Sequence, residues 1–162
     1  MTTARVRLVL ASASPARLRT LQHAGVEPTV IVSSVDEDAV VADALDRYGL
    51  LEPAHVSLVL ARAKAEAVAF GEHVGDLVLG CDSVLEFDGQ VHGKPEDADE
   101  AIERWQRMSG RSGVLHTGHW IVDQRPAALG GSQATLGATA STKVHFAKLS
   151  DEEIRAYVAT GE

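Results

Sequence analysis

The apolar run Val6-Arg7-Leu8-Val9-Leu10-Ala11 passes without a spacer into Ser12-Ala13-Ser14-Pro15-Ala16-Arg17. Apolar residues bounded by small, turn-forming ones read as a buried strand, here over 5–11. The chain then enters a helix over 15–24. Pro15 suits the first helical position, because its missing N–H has no helical partner there. Ser14 suits the N-cap, and Gly25 closes the helix. An opening of this kind commits the chain to a sheet with crossover helices. It also gathers free backbone N–H groups, two hydroxyls and Arg17 at one helix N-terminus, an end that binds anions. Arginine opposes the helix macrodipole there, which a neighbouring anion would explain. A capped helix with a surface arginine is the plainer alternative.

The rest of the sequence extends that frame. A strand over 29–32 leads into the acidic stretch Asp36-Glu37-Asp38, and a helix follows over 54–70 with Pro53 at its start. Asp76-Leu77-Val78-Leu79-Gly80 reads as a short buried strand ending at Cys81-Asp82-Ser83. Val84-Leu85-Glu86-Phe87 and Gln90-Val91-His92 flank Asp88-Gly89, a hairpin signal. A helix over 97–108 opens on Asp97 and Glu100, and strands are expected over 113–123 and 133–147. A last helix begins at Ser150, with Glu153 completing a capping box. Helices and strands alternate early and an antiparallel pair comes late, so the expected class is α/β, a mixed twisted sheet flanked by helices.

Composition narrows the function classes. The 162 residues carry a formal charge of -8, which on average repels nucleic acid and anionic membrane. No apolar run reaches bilayer length and no secretory leader is evident, so a cytoplasmic protein is expected. The single cysteine, Cys81, allows no intrachain disulfide and reads as a small buried hydrophobe. His116 and His119 lie three apart on a strand and so point to opposite faces, a poor metal pair.

Four groups could carry chemistry. Asp82 follows an apolar strand, where α/β sheets place ligands; it could hold a divalent cation, orient a water, act as general base or simply cap a turn. Asp36 and Glu37 are either magnesium-serving carboxylates or a solvated acidic loop. Lys94 lies in the stiff turn Gly93-Lys94-Pro95, and Lys64 in an alanine-rich helix. Each is either a phosphate-facing point charge or an ordinary surface lysine.

Together these pieces resemble the Maf (septum-formation) family of nucleoside triphosphate pyrophosphatases. The carrying motifs run in order: Ala11-Ser12-Ala13-Ser14-Pro15-Ala16-Arg17, Asp36-Glu37, Ala61-Arg62-Ala63-Lys64-Ala65, Gly80-Cys81-Asp82-Ser83, Gly93-Lys94-Pro95, Ser109-Gly110-Arg111 with Thr117-Gly118, and Tyr157-Val158-Ala159-Thr160-Gly161-Glu162. The resemblance implies a Maf/ITPase-like fold with a cleft between two lobes. It implies an enzyme that splits the α–β phosphoanhydride of a nucleoside triphosphate, with magnesium or manganese as cofactor, and a homodimer. Asp82 becomes the catalytic base, and Glu37 with Asp82 the metal ligands. Ser12, Ser14, Arg17, Lys64, Lys94 and Ser83 become substrate contacts. Ala16 and Ser83 match neither the family's pyrimidine branch nor its 7-methyl-GTP branch, and Gly113 replaces a usual histidine. The family continues past the Gly-Glu motif, so 1–162 is expected to be a single Maf-like domain lacking its C-terminal segment. The alternative reading is a non-enzymatic nucleotide-binding protein or a regulator of cell division.

Overall fold

The computed structural model describes residues 6–71 and 77–161. The elements run β1 (Leu8–Ala11), α1 (Pro15–His23), β2 (Thr29–Val30), α2 (Glu37–Tyr48), α3 (Pro53–Ala69), β3 (Leu77–Phe87), β4 (Gln90–His92), α4 (Ala98–Met108), β5 (Ser112–Asp123), a 3-10 turn (Ala127–Leu129), β6 (Thr135–His145) and α5 (Asp151–Ala159). The expected strand starts at Arg5 and Asp76, and Glu162 of the closing motif, lie outside the described residues.

One mixed sheet results, in the order β2-β1-β3-β5-β6, with β4 pairing β3. β1 runs parallel to both β2 and β3, whereas β4, β5 and β6 add antiparallel. No helix among the described residues is long and apolar enough to cross a membrane.

Two expectations are corrected. The acidic stretch is not a loop: Asp36 caps α2, its carboxylate accepting from the Ala39 N–H at 3.0 Å. Glu37 and Asp38 occupy the first turn, where the macrodipole favours negative charge. The strand into Cys81 does not stop there either. It continues as an 11-residue β3 through Phe87, because β5 pairs with it from Leu77 to Glu86. The Asp88-Gly89 hairpin forms as expected, both residues adopting positive φ, and α5 carries the full Ser150–Glu153 capping box.

The core lies between α3 and one face of the sheet. Val9, Ala11, Val78 and Val122 meet Ala65, Val68 and Ala69, while Val84 meets Val56 and Leu60. Glycines set how closely α3 can approach. A Cβ at Gly80 would stand 2.1 Å from the Ala61 carbonyl oxygen, and one at Gly118 would stand 2.2 Å from that of Ser57. Both positions face α3, so the helix backbone rests on the sheet. Gly113, where a histidine was expected, is also filled by its surroundings: a Cβ there would meet the Glu86 carbonyl oxygen at 2.8 Å.

The indoles take packing roles. Trp105 stacks edge-on against Phe146 and Tyr157, joining α4, the segment that follows β6, and α5. Trp120 lies on the α3 face with the Arg62 guanidinium 5.1 Å over its ring.

Gly80→Ala is expected to lower the melting temperature by roughly 3–10 °C, the scale of about 1–3 kcal/mol of overpacking in a domain of this size. A thermal melt followed by circular dichroism checks this; an unchanged midpoint would show that α3 does not sit as closely as described.

Candidate active site

The edge of β3 that faces β1 is paired discontinuously. β1 pairs with Leu77 to Gly80, and β4 with Leu85 to Phe87. Residues 81–84 therefore stand in a gap between two neighbours. The gap begins where the parallel pairing ends, the place at which α/β sheets leave room for ligands. Asp82 sits in it and is only 7% exposed.

Successive residues of a strand face opposite ways. Asp82 shares its face with Gly80 and Gly118, so its carboxylate points toward α3. There the Lys64 ammonium donates to Asp82 Oδ1 at 2.5 Å and to Glu37 Oε1 at 2.7 Å. Lys64 thus bridges two carboxylates delivered by two other elements, one from mid-β3 and one from the first turn of α2. Burial pushes the Asp82 carboxyl above its ordinary range, outweighing the pull of Lys64 in the other direction, and the Glu37 charge adds to the rise. Burial works against the Lys64 ammonium, yet its bonds to Asp82 and Glu37 prevail and hold its pKa above the ordinary lysine value.

Ser83 faces the other side of the sheet and meets the β1–α1 turn. Ser14 caps α1, its hydroxyl accepting from the Arg17 N–H at 3.4 Å. Ser12 is buried and accepts from the Ser14 N–H. Arg17 then reaches across the gap. Its Nη1 donates to Ser12 Oγ and to the Cys81 carbonyl oxygen, and its Nη2 to Ser83 Oγ, each at 3.0 Å. The Cys81 carbonyl lies on the stretch of edge that neither β1 nor β4 covers, so this arginine completes the sheet's own hydrogen bonding. That accounts for an arginine at the start of a helix without requiring an anion there.

The structure brings Ser12, Arg17, Glu37, Lys64, Asp82 and Ser83 to this gap. It uses Ser14 as the helix cap. Lys94 is exposed in the loop after β4, two residues past His92, which pairs with Leu85 at the rim of the gap. Thr117 is a participant the sequence reading passed over: its hydroxyl lies 2.9 Å from Ser83 Oγ. The β5 register, which sets Ser83 opposite Thr117, was the missing signal.

The remaining candidates lie elsewhere or are inert. His116 is held between Glu86 Oε2 and Ser141 Oγ, both at 2.8 Å, as a satisfied cross-strand group. His119 pairs opposite Cys81 on the other face. Cys81 is buried, and burial pushes its thiol pKa up, away from reactivity. Among the described residues no group of three or more potential ligands is gathered for a metal ion.

A family model described as "Maf-like protein" matches residues 7–162. The chain belongs to this Maf-like family. Among its relatives, a protein of Salinispora tropica called nucleoside triphosphate pyrophosphatase is 55% identical, over 97% of this chain and 65% of its own length. Proteins of the same name from Streptomyces avermitilis and Microcystis aeruginosa are 52% and 47% identical, over 98% and 97% of this chain and 70% and 73% of theirs. The Maf-like chain thus spans about two thirds to three quarters of these relatives. Among solved structures, the Staphylococcus aureus Ham1 protein matches with a TM-score of 0.50 at 15% identity, over 86% of this chain and 71% of that one. This likeness concerns the fold alone.

The electrostatics of the gap give a measurable sign. In the protein freed of divalent cations, the Asp82 carboxyl is expected to titrate above the ordinary aspartate value of about 4. Lys64→Met should raise it further, because the ammonium that opposes the rise is gone. Carboxyl carbon shifts followed against pH by NMR check both; a midpoint at or below the ordinary value would mean that Lys64 dominates burial. The Lys64 contribution to stability should be complete below the ordinary lysine pKa and lost only as pH rises through its elevated value.

Proposed function

We propose that this chain carries the working centre of a nucleoside triphosphate pyrophosphatase, with Asp82 as general base. The observation that supports this most is the Lys64–Asp82 pair: a carboxylate and an ammonium, both largely buried, at the open end of a parallel strand pair. Burial raises the Asp82 pKa, and a raised pKa makes a carboxylate a better base near neutral pH. The names of the relatives point the same way, and the order of the motifs agrees with them.

In this reading the triphosphate lies along the gap in the β3 edge. Arg17 and Lys64 meet its phosphates from opposite faces of β3 and absorb charge as the anhydride breaks. Ser12 and Ser83 keep the Arg17 fork in place. Asp82 takes a proton from a water aligned with the α–β anhydride. The water oxygen bonds to phosphorus, the bridging P–O bond breaks, and pyrophosphate leaves from the nucleoside monophosphate. Lys64 must share or release Asp82 as the phosphates arrive, since one ammonium cannot hold two carboxylates and a phosphate equally.

The donor set also suits a divalent cation. Lys64 engages one oxygen of Asp82 and one of Glu37, so each carboxylate retains a second oxygen. Two carboxylate oxygens, completed by substrate phosphates and water, are what magnesium ordinarily takes from a protein in phosphoryl-transfer sites. When bound there, such an ion would neutralise charge on the triphosphate.

Asp82→Asn is expected to lower kcat for pyrophosphate release by about 10²–10⁴, the usual worth of a general base, while the circular dichroism spectrum at assay temperature stays that of the folded chain. A coupled pyrophosphate assay over standard and modified nucleoside triphosphates, with magnesium and with manganese, checks it. Orthophosphate as the first product, or full turnover in the variant, would remove this assignment.

A further inference from the structure

Three of the five N–H groups of the Arg17 guanidinium are engaged within the protein: both on Nη1, with Ser12 and Cys81, and one on Nη2, with Ser83. Among the described residues nothing takes the Nε–H or the remaining Nη2–H, so these are the donors left for a phosphate. Where that pair of donors points depends on the rotation of the guanidinium plane. Ser12 and Cys81 hold the Nη1 end. The Nη2 end is held by Ser83 Oγ alone, and Ser83 is exposed. What restrains it is Thr117 Oγ1, 2.9 Å away on the adjoining strand.

We propose that Thr117 is a positioning residue: through Ser83 it fixes the plane of Arg17, and so aims the two remaining N–H groups at a phosphate. The inference rests on Arg17 being a phosphate contact, as in the proposed function. The chemistry of the hydroxyl pair supports it in either direction of the bond. If Ser83 donates to Thr117, its proton is spent and its lone pair is presented to Arg17. If Thr117 donates to Ser83, the two Ser83 lone pairs are shared between Thr117 and Arg17. In both cases Ser83 is kept as the acceptor that the guanidinium needs. Neither the anion nor the water has to touch Thr117.

The test is a double-mutant cycle between Thr117→Val and Arg17→Lys, read by calorimetric binding of inorganic tripolyphosphate and by the kcat/KM of pyrophosphate release. Valine is close in shape and favours strand, so the sheet should persist. Thr117→Val should weaken tripolyphosphate binding about fivefold, the scale of one hydrogen bond. It should change binding less than twofold in the Arg17→Lys background. Thr117→Ser, which restores the hydroxyl, should lie within twofold of the unmodified chain. A purely structural role would add equally in both backgrounds and would not be rescued by serine. Separate Arg17 Hη signals in NMR spectra of the free protein, merged in Thr117→Val and kept in Thr117→Ser, would report the fixed plane directly. Additive effects, or Arg17 signals that ignore Thr117, overturn the inference even if the enzyme is active. Thr117-dependent tripolyphosphate binding without any pyrophosphate release would instead retire the hydrolase reading and leave this one standing. No binding of tripolyphosphate by the unmodified chain overturns both.

Discussion

Lys64 can reach Asp82 because α3 rests directly on the sheet, and it rests there because positions 80 and 118 carry no side chain. Any Cβ at either position would meet helix backbone rather than a side chain that could turn aside. The same close seating lets Ala61 and Ala65 fill the space that larger residues would otherwise need, and both are fully buried. The ion pair is not what holds this interface together. Taking two charges out of water costs several kcal/mol for each, and a well-packed apolar pair of the same volume is often as stabilising or more so. Stability comes from the alanine, valine and leucine contacts around it. The pair is a tolerated expense of the fold, which is the pattern expected where polar groups are kept for chemistry.

The alternation of β3 then distributes the charges. Asp82 and Ser83 are neighbours in sequence and necessarily face opposite sides of the strand. Lys64 comes to the first from α3 and Arg17 comes to the second from α1. Two cations from different elements therefore converge on one short stretch of unpaired strand edge, one from each face. β1 ends just before that stretch and β4 begins just after it. The gap is the only part of the β3 edge where the backbone is left to side chains, and Arg17 takes one of its carbonyls.

Much of this was legible in the sequence, and the failures have physical causes. The strand–turn–helix opening, α3, the Asp88-Gly89 hairpin and the capped α5 follow from local chemistry: proline at a helix start, glycine at positive φ, and a serine–glutamate box. α2 was missed because its acidic start drew attention as a ligand candidate. Its signals were nevertheless local: an aspartate cap, then Val40, Val41 and Ala44 at helical spacing. β3 appeared broken at Asp82 because a charged residue inside an apolar run resembles a strand end; only the β5 partner carries the strand through it. Asp82, Lys64 and Glu37 could each be nominated singly. Their meeting in one site came only from the family resemblance and not from local chemistry, since residues 18 and 45 positions apart are joined by a helix docking that depends on Gly80 and Gly118. Arg17 was read as an anion contact; that three of its donors also serve Ser12, Cys81 and Ser83 depends on the fold and could not be read from the chain.

Charge counting ties the site to its proposed substrate. Lys64 and Arg17 supply two positive charges to the gap; Glu37 and Asp82 supply two negative ones. Their formal sum is zero, set in a protein whose overall charge is -8. A triphosphate carries several negative charges, so a neutral site inside an acidic protein would not by itself retain one strongly. Either the carboxylates are protonated when the anion binds, which would silence the base, or further positive charge arrives with the nucleotide. The second course keeps Asp82 ionised and gives Glu37 a use that a mere partner for Lys64 would not require. The arrangement of two carboxylates around one ammonium is thus best understood as a site balanced for its resting state. In the proposed function, a cation arriving with the nucleotide would supply the positive charge that these four side chains, summing to zero, leave wanting.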